Sequence, residues 1–325
     1  MKNLAVLSVV LSFAVAALAE EPAKIMEGTG HPCVVADYSN GKVCILSADG
    51  KIEWEYPAPS CNDLWVLPSG NLLFVTGHGV KEVTRDKKVV FEWKGTPVKS
   101  VHKEKDGTTK EVENPSEIYA CQRLADGNTF IGECSSGRLL EVSPDGKIVK
   151  DVRTLPEGKD GGHAYIRNAR KLANGNYLVA CYGGKAVKEY DASAKVVWEC
   201  PVAAGVHSCI RLPNGNTLIA TGDSGKPIGI IEVDKEGKTV WSVTGDELPG
   251  VSMKFMTGLQ RLPNGNTVFT NWLGHGNLGK TAHVCEVTPD KKVLWTFFDH
   301  KNFKTISSIQ LLDVPGDVTK GEILH

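Results

Sequence analysis

One phrase is written twice in this chain. RLPNGNTLIATGD runs from Arg211 to Asp223, and RLPNGNTVFTNWL opens fifty residues later at Arg261. Looser copies begin at Leu67 (LPSGNLLFV), Leu124 (LADGNTFIG) and Leu172 (LANGNYLVA). Their glycines, Gly70, Gly127, Gly175, Gly215 and Gly265, stand 57, 48, 40 and 50 residues apart. A self-similar unit of that period marks a repeat architecture whose units stack on one another. A period of about 40–50 residues suits one four-stranded propeller blade.

Each unit has the same interior. An apolar stretch precedes the turn, and a β-branched or aromatic stretch follows it. The Asn-Gly, Asp-Gly or Ser-Gly pair between them suits a tight hairpin, because asparagine and glycine tolerate positive φ. Downstream comes a second signal that ends in an aromatic. It reads ADGKIEW at Trp54, DKKVVF at Phe91, SAKVVW at Trp198, KEGKTVW at Trp241 and DKKVLW at Trp295, with Lys150 of DGKIVK the one departure. The unit is therefore strand, tight turn, strand, loop, strand, turn, strand. Radial stacking covers both faces of such a sheet and makes the aromatic an anchor between blades.

The chain ends decide the blade count. Residues 32–56 supply the last three strands of a unit, and SSIQLLDVPGD from Ser307 supplies a first strand. Joined, they complete one blade and remove the edges of the array. The expected fold is all-β: a six-bladed β-propeller of four-stranded antiparallel blades, closed by N- and C-terminal strands that share one blade. The charged stretch KSVHKEKDGTTKEVENP, within residues 95–117, reads as a surface insertion and not as a seventh blade.

Ahead of the repeats, Lys2, an apolar run from Leu4 to Leu18 and Ala17-Leu18-Ala19 have the form of a secretory leader. Residues 1–19 are expected to be a signal peptide, residues 20–325 a single propeller domain, and the destination secreted or periplasmic. No second long apolar run offers a membrane span. A net charge of −1 with interspersed lysines and acids removes the electrostatic case for nucleic acid. The nine cysteines form no C-x-x-C, and such singletons read as small buried hydrophobes. A monomer is expected.

Antiparallel order sends the tight repeated turns to one end of the ring. The long irregular segments, 95–117, LPEGKDGGHAYIR, TGDELPGVSMKFMT and NWLGHGNLGKTAH, go to the other end, where binding loops are expected. Aligning the inner strands on Leu67, Leu124, Leu172, Leu212, Leu262 and Leu312 puts Asn62, Tyr119, Arg167, His207, Thr257 and Ser307 round that mouth. His78, Tyr182, Asp223, Trp272 and His275 arrive on loops within blades, and His163 on a connection between blades. The candidate ligand site is Asn62, Tyr119, His163, Arg167, His207, Asp223, Trp272 and His275. Here the repeats disagree, and this mixture suits an anionic or polar ligand.

No H-x-H or H-E-x-x-H spacing marks a metal, and no G-x-S-x-G elbow marks a hydrolase. The glycine-rich YGGK and LGHGNLGK do not open a helix, as a phosphate loop does. Neither a metal nor a cofactor is expected, and no catalytic set is complete. The residues read as a binding module for a polar small molecule or glycan, or for an envelope protein.

The paired signatures LPNGNTL and D-x-x-G-K-x-x-W resemble the PQQ-like (quinoprotein-type) β-propeller repeats over nearly the whole mature chain. Quinoprotein alcohol dehydrogenases of that superfamily use a larger ring and often adjacent cysteines, which this chain lacks. Other members are non-catalytic envelope scaffolds or assembly factors. The nearest enzymatic branch is the six-bladed arylsulfotransferases. That resemblance implies, as the alternative reading, sulfuryl transfer through His207 of GVHSCIRLPNG, with His163, Arg167 and Asn168 beside it.

Overall fold

In the computed structural model, which describes residues 26–325, six antiparallel sheets form a propeller. The expected leader lies outside the described residues. The shared blade has the order Ile306–Leu311, Cys33–Asp37, Lys42–Leu46, Ile52–Pro57, so the two chain ends close the ring as expected. The other blades comprise residues 64–94, 118–153, 168–201, 206–244 and 256–297. Second strands such as TLIAT (Thr217–Thr221) and TVFTN (Thr267–Asn271) are buried throughout, because blades cover both faces. Their sequences are correspondingly continuous rather than alternating. The outermost strand IEWEYP (Ile52–Pro57) faces water on one side and does alternate.

Two features add to the expected plan. Met26–Gly28 pairs with Val293–Phe297 as a fifth strand on the last blade, so the chain crosses from the outside of that blade into the shared one. The 95–117 insertion is a separate two-stranded sheet, Pro97–Lys103 with Thr109–Pro115. Thr96 fastens its base by donating from its amide to Glu133 (2.7 Å).

The repeated turn is a three-residue bulged loop. The Leu212 amide donates to Asn216 O (2.8 Å) and the Gly215 amide to Leu212 O (2.9 Å), with Gly215 at φ 88°. Only the glycine takes positive φ. The asparagine after it belongs to a latch between blades. Asn216 donates to Glu232 on the third strand of its own blade (2.7 Å), and Arg261, at the end of the next blade's inner strand, reaches the other oxygen of Glu232 (2.8 Å). The Arg261 guanidinium also lies over Trp241, 5.9 Å from the ring centroid. The same latch recurs as Arg123–Glu82 (2.6 Å), Lys171–Glu141 (2.8 Å) and Arg211–Glu189 (2.9 Å). Where the last blade meets the shared one, His31 replaces the arginine and contacts Glu286 at 3.0 Å. At the sixth seam, Ile45 stands opposite Trp54 where the other blades have the glutamate, and Val66 stands where the next blade would have the arginine. Both partners change together, from ions to apolar side chains.

The expected aromatic anchors hold the rim. The indole N–H groups of Trp54, Trp198 and Trp241 donate to Arg85 O, Lys235 O and Pro289 O of the following blade at 2.7–2.8 Å. All nine cysteines are buried and unpaired. No helix among the described residues is long and apolar enough to cross a membrane.

Candidate functional site

Tyr119, His207 and Ser307 lie where their inner strands bulge. Tyr119 is the extra residue between the pairs Ile118–Glu133 and Ala120–Gly132. His207 lies between Val206–Thr221 and Ser208–Ala220, and Ser307 between Ser308–Ala36 and Ile306–Asp37. A bulge removes a residue from the ladder and re-aims its side chain, and here it does so at the mouth of the ring.

Arg167 is the centre of the cluster. Its guanidinium lies 4.6 Å from the Tyr119 ring centroid and 5.4 Å from that of Tyr182. Its Nε is buried without a hydrogen-bond partner, and no ion pair joins it to a carboxylate among the described residues. Each flanking tyrosine leads to a histidine and a carboxylate. His163 Nδ1 lies 3.1 Å from Tyr119 Oη and 2.9 Å from Glu117. Tyr182 donates to Asp223 Oδ1 (2.9 Å), and His275 Nδ1 lies 2.7 Å from Asp223 Oδ2. Burial and the Asp223 hydrogen bond push the Tyr182 phenol up to about 12. Burial raises the Glu117 carboxyl, but the His163 hydrogen bond and the charges of His163 and Arg167 outweigh it, leaving the group below its ordinary range.

An aromatic strip runs outward from Tyr182. Phe255 stacks on Tyr182 (5.7 Å, 15°), Trp272 tilts against Phe255 (5.2 Å), and His275 meets Trp272 edge-on (5.0 Å). Three glycines make room for it. A Cβ on Gly205 would come within 2.5 Å of the Tyr182 ring, and one on Gly222 within 2.8 Å of Phe255 and 2.9 Å of Tyr182. One on Gly274 would overlap the Trp272 ring. His207 lies beneath, buried and edge-on to Phe255 at 5.4 Å. Burial, then the charges of Arg167 and His163, hold its imidazole well below the usual histidine range, so it is neutral.

Seven of the eight sequence-derived residues, Tyr119, His163, Arg167, His207, Asp223, Trp272 and His275, are thus linked through direct contacts. Asn62 is not linked to them; its amide donates to Ser60 O (3.2 Å). His78 is turned to Pro115 O on the insertion. Phe255, Glu117 and the glycine beds were not among the expected residues. Phe255, the one aromatic of the long connection TGDELPGVSMKFMT, was the one detectable signal.

A concavity of about 500 Å³ lies away from this cluster, at the tight-turn end, walled by Trp65, Leu124, Leu172, Leu212 and residues 319–321 and 323–325. Its cations are already paired: Arg170 with Asp63 (2.7 Å), Lys171 with Glu141 and Arg211 with Glu189. His325 fills its inner end against Trp65, with ring centroids 4.0 Å apart. The Arg167 guanidinium, which no carboxylate pairs among the described residues, is at the mouth.

No family model matches the chain, and no curated protein matches it. Among solved structures, a Bacteroides caccae protein of unknown function is 25% identical, with a TM-score of 0.72, over 86% of this chain and 98% of its own. A streptogramin B lyase is 14% identical, with a TM-score of 0.54, over 85% of this chain and 88% of its own. The likeness to the lyase is one of fold alone.

Proposed function

We propose that this propeller is an exported binding module that takes up a small anionic ligand at its loop-rich mouth. The observation that carries this reading is Arg167, a guanidinium held between two tyrosine rings without a carboxylate partner. An ion kept partly from water without a directly bonded counter-ion is costly unless a ligand supplies one. Planar guanidinium recognises carboxylate and related oxyanions through paired N–H donors. The leader-like residues 1–19 support export, and the paired repeat signatures support placement among PQQ-like repeats.

The test is a thermal-shift comparison of the intact protein and Arg167→Gln with acetate and formate, against chloride, at constant ionic strength. Anion-dependent stabilisation should appear in the intact protein and vanish in the variant. Equal responses would remove Arg167 from the site. The neutral imidazole of His207 near Arg167 favours a second reading, sulfuryl transfer by a histidine nucleophile. Turnover of an aryl sulfate that disappears in His207→Ala would establish it in place of simple binding.

A further inference from the structure

Resting on the anion-binding reading, we infer that the ligand is a monoanionic sugar acid, a uronate residue free or at the end of a glycan. Three features of the mouth narrow the chemistry this far.

The first is charge. The cluster offers one guanidinium, and two carboxylates stand close to it: Glu117 through His163 and Tyr119, and Asp223 through Tyr182. The positive charge of Arg167 and His163 is already set against these two carboxylates, so the cluster offsets one added negative charge at less cost than the two of a phosphate dianion. The second is hydrogen-bonding sense. Glu117 and Asp223 are acceptors with lone pairs beyond those already used, and His163 and His275 are exposed, each with Nδ1 engaged on a carboxylate. These planar side chains on either side of Arg167 can accept from the hydroxyls of a ligand. An aromatic acid would cover them and leave their hydrogen bonds unmade, a loss that a site built for hydroxyls discriminates strongly. The third is the strip of Tyr182, Phe255 and Trp272, of which Tyr182 and Trp272 remain partly exposed. It gives the C–H face of a pyranose a flat apolar partner while its hydroxyl edge turns to the carboxylates.

Isothermal titration of the full exported chain with D-glucuronate, D-glucose, D-glucose 6-phosphate and acetate tests this. D-Glucuronate should bind at least about tenfold more tightly than each of the other three. Arg167→Gln should bring glucuronate down to the level of glucose. Asp223→Asn, a change at an exposed position, should weaken glucuronate and narrow its advantage over glucose 6-phosphate. Acetate binding as tightly as glucuronate, or acetate binding alone, would overturn the sugar-acid assignment and leave the Arg167 anion site standing. Glucose 6-phosphate binding more tightly than glucuronate would overturn the charge argument. Glucose matching glucuronate, or silence from all four, would overturn both the sugar acid and the anion site.

Discussion

The latch between blades makes a quantitative prediction. Glu232 is buried and receives Asn216 and Arg261; the Arg261 side chain is 17% exposed and packs on Trp241. Glu232→Ile strips Arg261 of its counter-ion inside the seam. Breaking a buried pair costs about 3–5 kcal/mol, and the partial exposure of Arg261 places this one near or below the lower end, about 2–3 kcal/mol. Arg261→Val alone should cost a similar amount by stranding Glu232. The double variant Glu232→Ile/Arg261→Val copies the pair that the chain already uses at Ile45 and Val66. It removes both ions together, and half-buried Asn216 can turn to water, so it should fall within about 1 kcal/mol of the parent. Urea unfolding of the four proteins, with the slope m checked for constancy, gives the coupling energy. A double variant as unstable as the sum of the singles would refute the view that the ionic and apolar seams are interchangeable solutions.

Three other outcomes follow from the same contacts. Gly222→Ala forces a methyl against Phe255 and Tyr182; it should cost about 1–2 kcal/mol of stability and weaken anion binding about tenfold, and unchanged binding in a titration would detach the aromatic strip from the site. The Glu286 and Asp313 contacts of His31 raise its pKa from 6.5 to about 9, against burial. Its contribution is therefore complete below about pH 6.5 and lost as pH rises through 9; screening reduces it to about 1–2 kcal/mol, and His31→Gln should flatten that alkaline limb in denaturation measurements. His283 is buried with both ring nitrogens unpartnered, and burial, then the charge of His300, lower it to about 4 despite Asp37 and Asp299. The unfolded chain takes up that proton first, so stability should fall by roughly 3 kcal/mol from pH 6.5 down to 4, a loss that His283→Leu should largely abolish.

The architecture was legible because a repeat states its own period. The turns at Gly70 through Gly265 and the aromatics at Trp54 through Trp295 fix strand order, and the incomplete first and last units fix closure. The latch was written in the same phrase, at Arg211 and Arg261, but its glutamates lie on the preceding blade. The sequence does not state how one blade is phased against the next. The mouth was legible at Tyr119, Arg167 and His207, since aligned repeats expose positions that differ. The bulges that aim Tyr119 and His207, and the beds under Tyr182 and Phe255 at Gly205 and Gly222, depend on strand register and backbone approach. Neither leaves a mark in residue type, because glycine is also the residue of the turns. Asn62 satisfied the alignment yet bonds locally, as a polar side chain does wherever a carbonyl is nearer than the cluster.

The Nε–H of Arg167 reports directly on whether its guanidinium is the anion receptor. In protein labelled with ¹⁵N-arginine, Arg167 among the eight arginines can be assigned through Arg167→Lys and followed during an acetate titration at constant ionic strength. Anion binding at Arg167 should give a saturable shift of its resonance, with Arg170, Arg211 and Arg261, each already bonded to a carboxylate, staying in place. A stationary Arg167 resonance, or shifts of equal size at the paired arginines, would contradict it.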